Sequence, residues 1–240
     1  MDIFTVENLI ALLTLTSLEI VLGIDNIVFI AIVAARLGPE RRDAARVTGL
    51  AIAVVSRLLL LLTLSFLASL TAPLVSVGSL SFSGRDLILL AGGVFLIYKA
   101  TKEIHEKTTG SESELESGKD GKVVSFSGVI SQIVMIDLIF SLDSVITAVG
   151  MTDNLPIMAL AVVLAVVVML VFSGGIVRFI EANPTVKMLA LSFLLMIGFV
   201  LVLDGMGHHI QKGYIYFAMA FSLAVEMLNL RAGSRKDEEE

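Results

Sequence analysis

The stretches Glu19-Ile-Val-Leu-Gly23-Ile-Asp25-Asn26 and Asp137-Leu-Ile-Phe-Ser141-Leu-Asp143-Ser144 match acid on acid, small residue on small residue, acid on acid and polar on polar. Both lie in strongly apolar surroundings. An ionised carboxylate at the centre of a bilayer costs roughly 2.5–3.5 kcal/mol on insertion scales, so four of them need protons, partners or bound cations. The donor atoms on offer are carboxylate, carboxamide and hydroxyl oxygens; the chain has no Cys, and its three His lie far from either stretch. Oxygen-only sites favour Mg2+, Ca2+ or Mn2+ over Zn2+ or Cu+. Proton exchange is the other chemistry such acids support, because burial favours the neutral form.

Candidate metal ligands are therefore Glu19, Asp25, Asn26, Asp137, Asp143 and Ser144. Arg57, Thr147, Asp204 and Glu226 are candidates for the pathway or for counter-ions. Arg57 falls mid-segment without a counterpart in the second half, and offsets one acid rather than four. Thr147 lies one turn beyond Asp143. Asp204, next to Gly205, Gly207, His208 and His209, reads more readily as a solvated helix end than as a metal vestibule. Glu226 is divided between the pathway and pairing near an interface.

The elements that must hold these residues are apolar helices. The chain has 240 residues, 56% hydrophobic and 17% charged, against about 25% charged in soluble domains. Mean hydropathy is +0.93. The net charge of −6 owes four charges to the terminal Asp237-Glu238-Glu239-Glu240 and says little about the body. Seven segments approach the ~20 apolar residues that cross a bilayer: Asn8–Ala35, Ala44–Leu70, Arg85–Lys99, Phe126–Met151, Ile157–Ile180, Met188–Asp204 and Tyr214–Leu230. Of seventeen Lys and Arg, fourteen fall on one side of this arrangement and two on the other, with Arg57 inside. The positive-inside rule then sets the N-terminus outside and the C-terminus in the cytoplasm.

The expected fold is an all-α polytopic membrane protein with seven transmembrane helices. The two acid stretches sit near the centres of spans one and four, which cross in opposite directions, as in a 3+3 inverted repeat with a seventh helix added. Residues 1–100 form the first three-helix repeat, 101–124 a flexible cytoplasmic linker, 125–208 the second repeat, 209–231 the seventh helix and 232–240 an acidic tail.

Two geometries remain open. In straight helices, Glu19 meets Asp143 in one layer and Asp25 meets Asp137 in another, ~9 Å apart. Residues four and seven apart share a face, which groups Glu19 with Gly23 and Asn26, and Asp137 with Ser141 and Ser144. Alternatively the helices loosen at Gly23 and Ser141 and bring all four acids to one broken-helix site. Small-residue runs such as Ala91-Gly92-Gly93 and Ser173-Gly174-Gly175 suit close helix packing. The methionines are scattered and read as packing.

At the two acid stretches the chain resembles the TerC family of bacterial integral membrane proteins, related to the wider lysine-exporter-like transporter superfamily. The resemblance runs from Phe4 to about Leu230. The family was named for tellurium resistance; members are implicated in Mn2+ efflux, and some in loading metal onto secreted enzymes. The resemblance implies a multi-pass protein of the bacterial cytoplasmic (inner) membrane that exports Mn2+. It carries Glu19, Asp25, Asn26, Asp137, Asp143 and Ser144 over as the site. No phosphate loop, HExxH, GxSxG or heme motif is present, so no enzymatic activity and no prosthetic group are expected. Expected partners are the bilayer, a divalent cation as transported ligand and protons for exchange; a homo-oligomer is compatible with the sequence, and no nucleic acid is expected. No regulation through a following soluble domain is expected. The alternative is a membrane scaffold of a metal-stress, tellurium-resistance or secretion complex, with structural acids.

Overall fold

The computed structural model describes residues 5–63, 71–77, 80–109, 125–152, 154–208 and 210–237 of the chain. Among the described residues there are seven long helices, with a short hairpin between the second and the third. α1 (Val6–Ala34) starts at Thr5, whose side chain accepts from the Asn8 amide at 3.2 Å. α2 (Pro39–Leu62) begins on a proline, whose missing N–H costs nothing in a first turn. β1 (Pro73–Val77) and β2 (Leu80–Ser83) pair antiparallel, a hairpin absent from the sequence expectation. Ser83 then opens α3 (Gly84–Thr108) through a capping box: its hydroxyl accepts from the Asp86 amide while the Asp86 carboxylate accepts from the Ser83 amide. α4 (Phe126–Met151), α5 (Leu155–Ala182), α6 (Pro184–Gly205) and α7 (Lys212–Asp237) follow.

Six of these helices are long and apolar enough to cross a membrane: Val6–Ala34, Glu40–Leu62, Phe126–Val149, Leu155–Ala182, Pro184–Gly205 and Gly213–Ala232. α3, expected as the third span, is not among them. Its apolar run from Leu87 to Tyr98 is bounded by Arg85 and Asp86 before it and Lys99 after it. α3 also continues to Thr108, into the stretch expected as linker, because ion pairs hold its last turns (below). Residues 110–124 of that linker lie outside the described residues, as does the chain end from residue 238.

Packing is pairwise. α1 lies along α5, α2 along α4 and α3 along α6. The α3–α6 pair is backbone to backbone. A Cβ on Gly93 would stand 2.6 Å from the Gly198 carbonyl oxygen, and one on Gly205 would stand 2.7 Å from that of Asp86. The expectation of close packing at Gly92-Gly93 therefore holds. One apolar cluster, including Phe29, Val33, Leu96, Val129, Met169 and Leu194, joins α1, α3, α4, α5 and α6. Large side chains such as Leu13, Val55, Val94, Phe172 and Phe199 point outward, as lipid-facing positions do. α7 is the least covered helix and presents Tyr214, Phe217, Phe221 and Leu228 outward.

Candidate functional site

The α1 face that carries Glu19, Gly23 and Asn26 turns inward, and so does the α4 face that carries Asp137, Ser141 and Ser144; all six are buried. Both helices are continuous, so neither breaks at Gly23 or Ser141. The glycine serves close approach instead of loosening. A Cβ there would fall 2.2 Å from the Met169 sulfur, so the α5 thioether seats on the gap between Glu19 and Asn26. Met169 was missed in the sequence; the signal was Gly23 itself, a buried helical position without a side chain.

Arg57 of α2 is the hub, with only 2% of its surface exposed. Its Nη1 donates to Glu19 Oε2 at 2.5 Å, its Nη2 to Asp137 Oδ1 at 2.7 Å and its Nε to Asp137 Oδ2 at 3.4 Å. Asp137 also accepts from Asn26 Nδ2 at 3.0 Å and from Ser141 Oγ at 3.2 Å. Among the described residues, Asn26 Oδ1 is buried and accepts no hydrogen bond. The Ser144 hydroxyl turns to its own helix, donating to the Ser141 carbonyl at 3.3 Å.

This corrects the layered pairing. Glu19 and Asp137, expected in separate layers, share one guanidinium, and Arg57 holds two acids where one was expected. The residue of α1 that reaches Asp137 is Asn26. The reason is angular: Asn26 shares the inward face with Glu19, whereas Asp25 is turned away by about 100° from its neighbour. Asp25 is also buried but faces a cavity of about 40 Å3 between α1, α4, α6 and α7, lined by Leu22, Phe140, Ile197, Leu201 and Tyr216 among others. That is space for about two waters. The Asp143 side chain, and with it the expected Glu19–Asp143 meeting, lies outside the described residues. Among the described residues no three His, Asp or Glu gather as a ready metal cluster. The carboxylates that converge are those of Glu19 and Asp137, with the Asn26 amide nitrogen on Asp137.

The remaining candidates stand apart. Thr147 is exposed. Glu226 lies on α7 and accepts from Asn229 at 3.5 Å. Asp204 is buried, 5% exposed, and is not the solvated helix end expected. Its neighbour Gly205 is pressed against Asp86 and Leu90 of α3, which closes that end of α6.

A second charged assembly gathers where α1 meets α2. Arg36 pairs with Glu103 and, at 2.9 Å, with Glu106 of α3. Arg42 donates to the carbonyls of Leu37 at 2.8 Å and Ala35 at 3.0 Å, and to Glu181 of α5 at 3.2 Å. Arg46 donates to Ser173 Oγ at 2.7 Å, beside Gly174. Burial pushes the Glu103 carboxyl up from its ordinary value, against the pull of Arg36 and Lys99. In the sequence these arginines read only as an orientation signal; their partners lie too far along the chain to be paired by spacing.

Known proteins agree with the helical membrane reading. The chain is 54% identical over 218 residues to the UPF0053 inner membrane protein YoaE of Escherichia coli (strain K12), covering 91% of this chain and 42% of that protein. It is 54% identical to the UPF0053 protein YegH of the same organism, of which it covers 41%. The chain thus spans less than half the length of these two relatives. It is 56% identical over 221 residues to the UPF0053 inner membrane protein YgdQ of Escherichia coli (strain K12), with 92% of each chain covered. No solved structure matches it. The family model described as Integral membrane protein TerC family matches residues 4–240, and the chain belongs to that family.

Proposed function

We propose that this chain is a divalent-cation transporter of the bacterial inner membrane, with Mn2+ its first candidate cargo and efflux its direction. The observation that carries the reading is the buried pair of Glu19 and Asp137, whose carboxylates from two apolar helices meet at one guanidinium, with Asn26 against Asp137. Its donors are all oxygen, which suits Mn2+ and disfavours softer ions. Names of relatives as inner membrane proteins support the location.

In this reading all seven helices cross the bilayer, with the N-terminus outside and the C-terminus inside, as a 3+3 inverted repeat plus α7. Helix pairing supports the repeat. Exchanging the first three helices for the next three converts the α1–α5 pair into α4–α2 and returns α3–α6 to itself, and these are the main packed pairs. Moving two charges outward against 100 mV costs roughly 4.6 kcal/mol, so efflux needs a coupled downhill ion. Protons taken up by the same carboxylates are the coupling we propose.

The test is the purified protein in liposomes that enclose a Mn2+-sensitive dye. Wild type should give metal-dependent quenching, and Glu19→Gln and Asp137→Asn should each abolish it. Removal of residues 108–120 should leave it intact. A quadruple variant, neutral at Glu19, Asp25, Asp137 and Asp143, that transports like wild type sinks the proposal. Loss of quenching in the 108–120 deletion favours the scaffold reading instead.

A further inference from the structure

We infer that Arg57 is a tethered competitor for the cargo site: its guanidinium holds the Glu19–Asp137 pair when cargo is absent, must leave for a divalent cation to bind, and drives that cation off again. The inference rests on the transport reading above and names how that site chooses and releases its ion.

The geometry supports it. Arg57 takes Glu19 Oε2 and both Asp137 oxygens, so a metal that used these atoms would have to replace its contacts. The acids belong to α1 and α4, and the guanidinium arrives on a third helix, α2. Asn26 supplies the second observation. It sits against Asp137, is 4% exposed, and its Oδ1 accepts no hydrogen bond among the described residues. Arg57 satisfies the acids and leaves an amide oxygen that only a further cation or donor engages.

Charge decides which ions win this competition. The ionised pair carries two negative charges, and Arg57 returns one. A divalent ion in place of the guanidinium neutralises the pair. A monovalent ion only repeats what Arg57 provides, and it competes with a group whose effective concentration is millimolar or higher because it is tethered. Na+ and K+ are therefore rejected without a size filter. The same competition weakens Mn2+ binding and hastens release, which a transporter needs, since cargo held too firmly does not leave.

A structural arginine predicts the opposite sign, and this separates the two roles. With the competitor gone, Arg57→Gln should bind Mn2+ more tightly and turn over more slowly. In the liposome assay KM should fall at least about tenfold, equivalent to ~1.4 kcal/mol, and kcat should fall with it. Addition of 100 mM NaCl, in exchange for an uncharged osmolyte, should slow Arg57→Gln and leave wild type unchanged. In detergent, MnCl2 should raise the unfolding temperature of Arg57→Gln more than that of wild type.

If Arg57→Gln does not insert, Arg57→Lys carries the test. Its single-point ammonium holds the pair less well than the planar fork, so KM should fall partway. An unchanged or raised KM in either variant, or a smaller thermal shift with MnCl2, overturns the inference. A wild-type protein that neither moves nor binds Mn2+ overturns the transport reading instead, and the inference with it.

Discussion

Removing the cation from the Arg57 hub should be far more damaging than removing the whole hub. In Arg57→Met the apolar stem remains, and Glu19 and Asp137 face each other unpaired. Oxygens bonded to neighbouring nitrogens of one guanidinium lie about 4 Å apart, and like charges at that distance repel by about 4 kcal/mol at an effective dielectric of ~20. Breaking buried ion pairs costs about 3–5 kcal/mol in practice, in accord with this figure. The double variant Glu19→Gln/Asp137→Asn should cost a similar amount, because it leaves the guanidinium, 2% exposed, without an anion. The triple variant, with Met, Gln and Asn together, buries no charge and should recover to within about 1–2 kcal/mol of wild type. At about 2–4 °C per kcal/mol for a chain of this size, single and double variants should unfold roughly 6–20 °C below wild type. The assay is thermal unfolding in detergent, read by the monodisperse fraction after heating, without divalent metal. If the triple variant is as unstable as the sum of the single and double losses, the three side chains act independently and the charge argument fails.

Four further outcomes follow from the same structure. Gly93→Ala and Gly198→Ala force backbone apart between α3 and α6 and should each cost about 1–3 kcal/mol. Gly175→Ala meets nothing within 4 Å and should gain about 0.5–1 kcal/mol from helix propensity, which the same unfolding assay reads. A Glu103 carboxyl raised by burial binds its proton more tightly in the native state. Stability is then full below the ordinary carboxylate range and lost as pH rises through the raised value, and Glu103→Gln should flatten that slope in unfolding temperature against pH. Arg42→Lys cannot span the two carbonyls of the α1–α2 turn and Glu181 together, so it should cost about 1–3 kcal/mol and expose that turn to faster proteolysis.

The sequence exposed the helices and the acids for one physical reason each: long apolar runs have no other use, and charges inside them are too costly to be incidental. The spacing of Glu19, Gly23 and Asn26 identified the inward face, and the structure uses that face. The partner of each acid was not legible. It depends on which helices pack side by side, and hydropathy says nothing about adjacency. Arg57 could be seen as a stray charge, but its reach to two acids follows from α2 lying along α4 while α1 also packs on α4. Asp204 misled for a related reason, since its burial comes from the approach of α3, encoded in Gly205 and not in the acid itself.

The proposed repeat gives the lone arginine a further meaning. Buried positions on α2 and α5 fall in step: Ala45 with Ile157, Gly49 with Ala161, Leu50 with Val162, Ala53 with Ala165, Arg57 with Met169 and Leu61 with Ser173. Arg57 and Ser141 both donate to Asp137, and Met169 lies on Gly23, the position matched to Ser141 in the other acid stretch. Equivalent places in the two halves are thus filled by a guanidinium and a thioether. An arginine in both would set a guanidinium on each acid stretch, so a cation would have two tethered competitors to displace. An arginine in neither would leave four acids to be held apart by protons alone. With one of each, Glu19 and Asp137 keep one uncompensated negative charge beside Arg57, and a divalent cargo in its place would satisfy the pair.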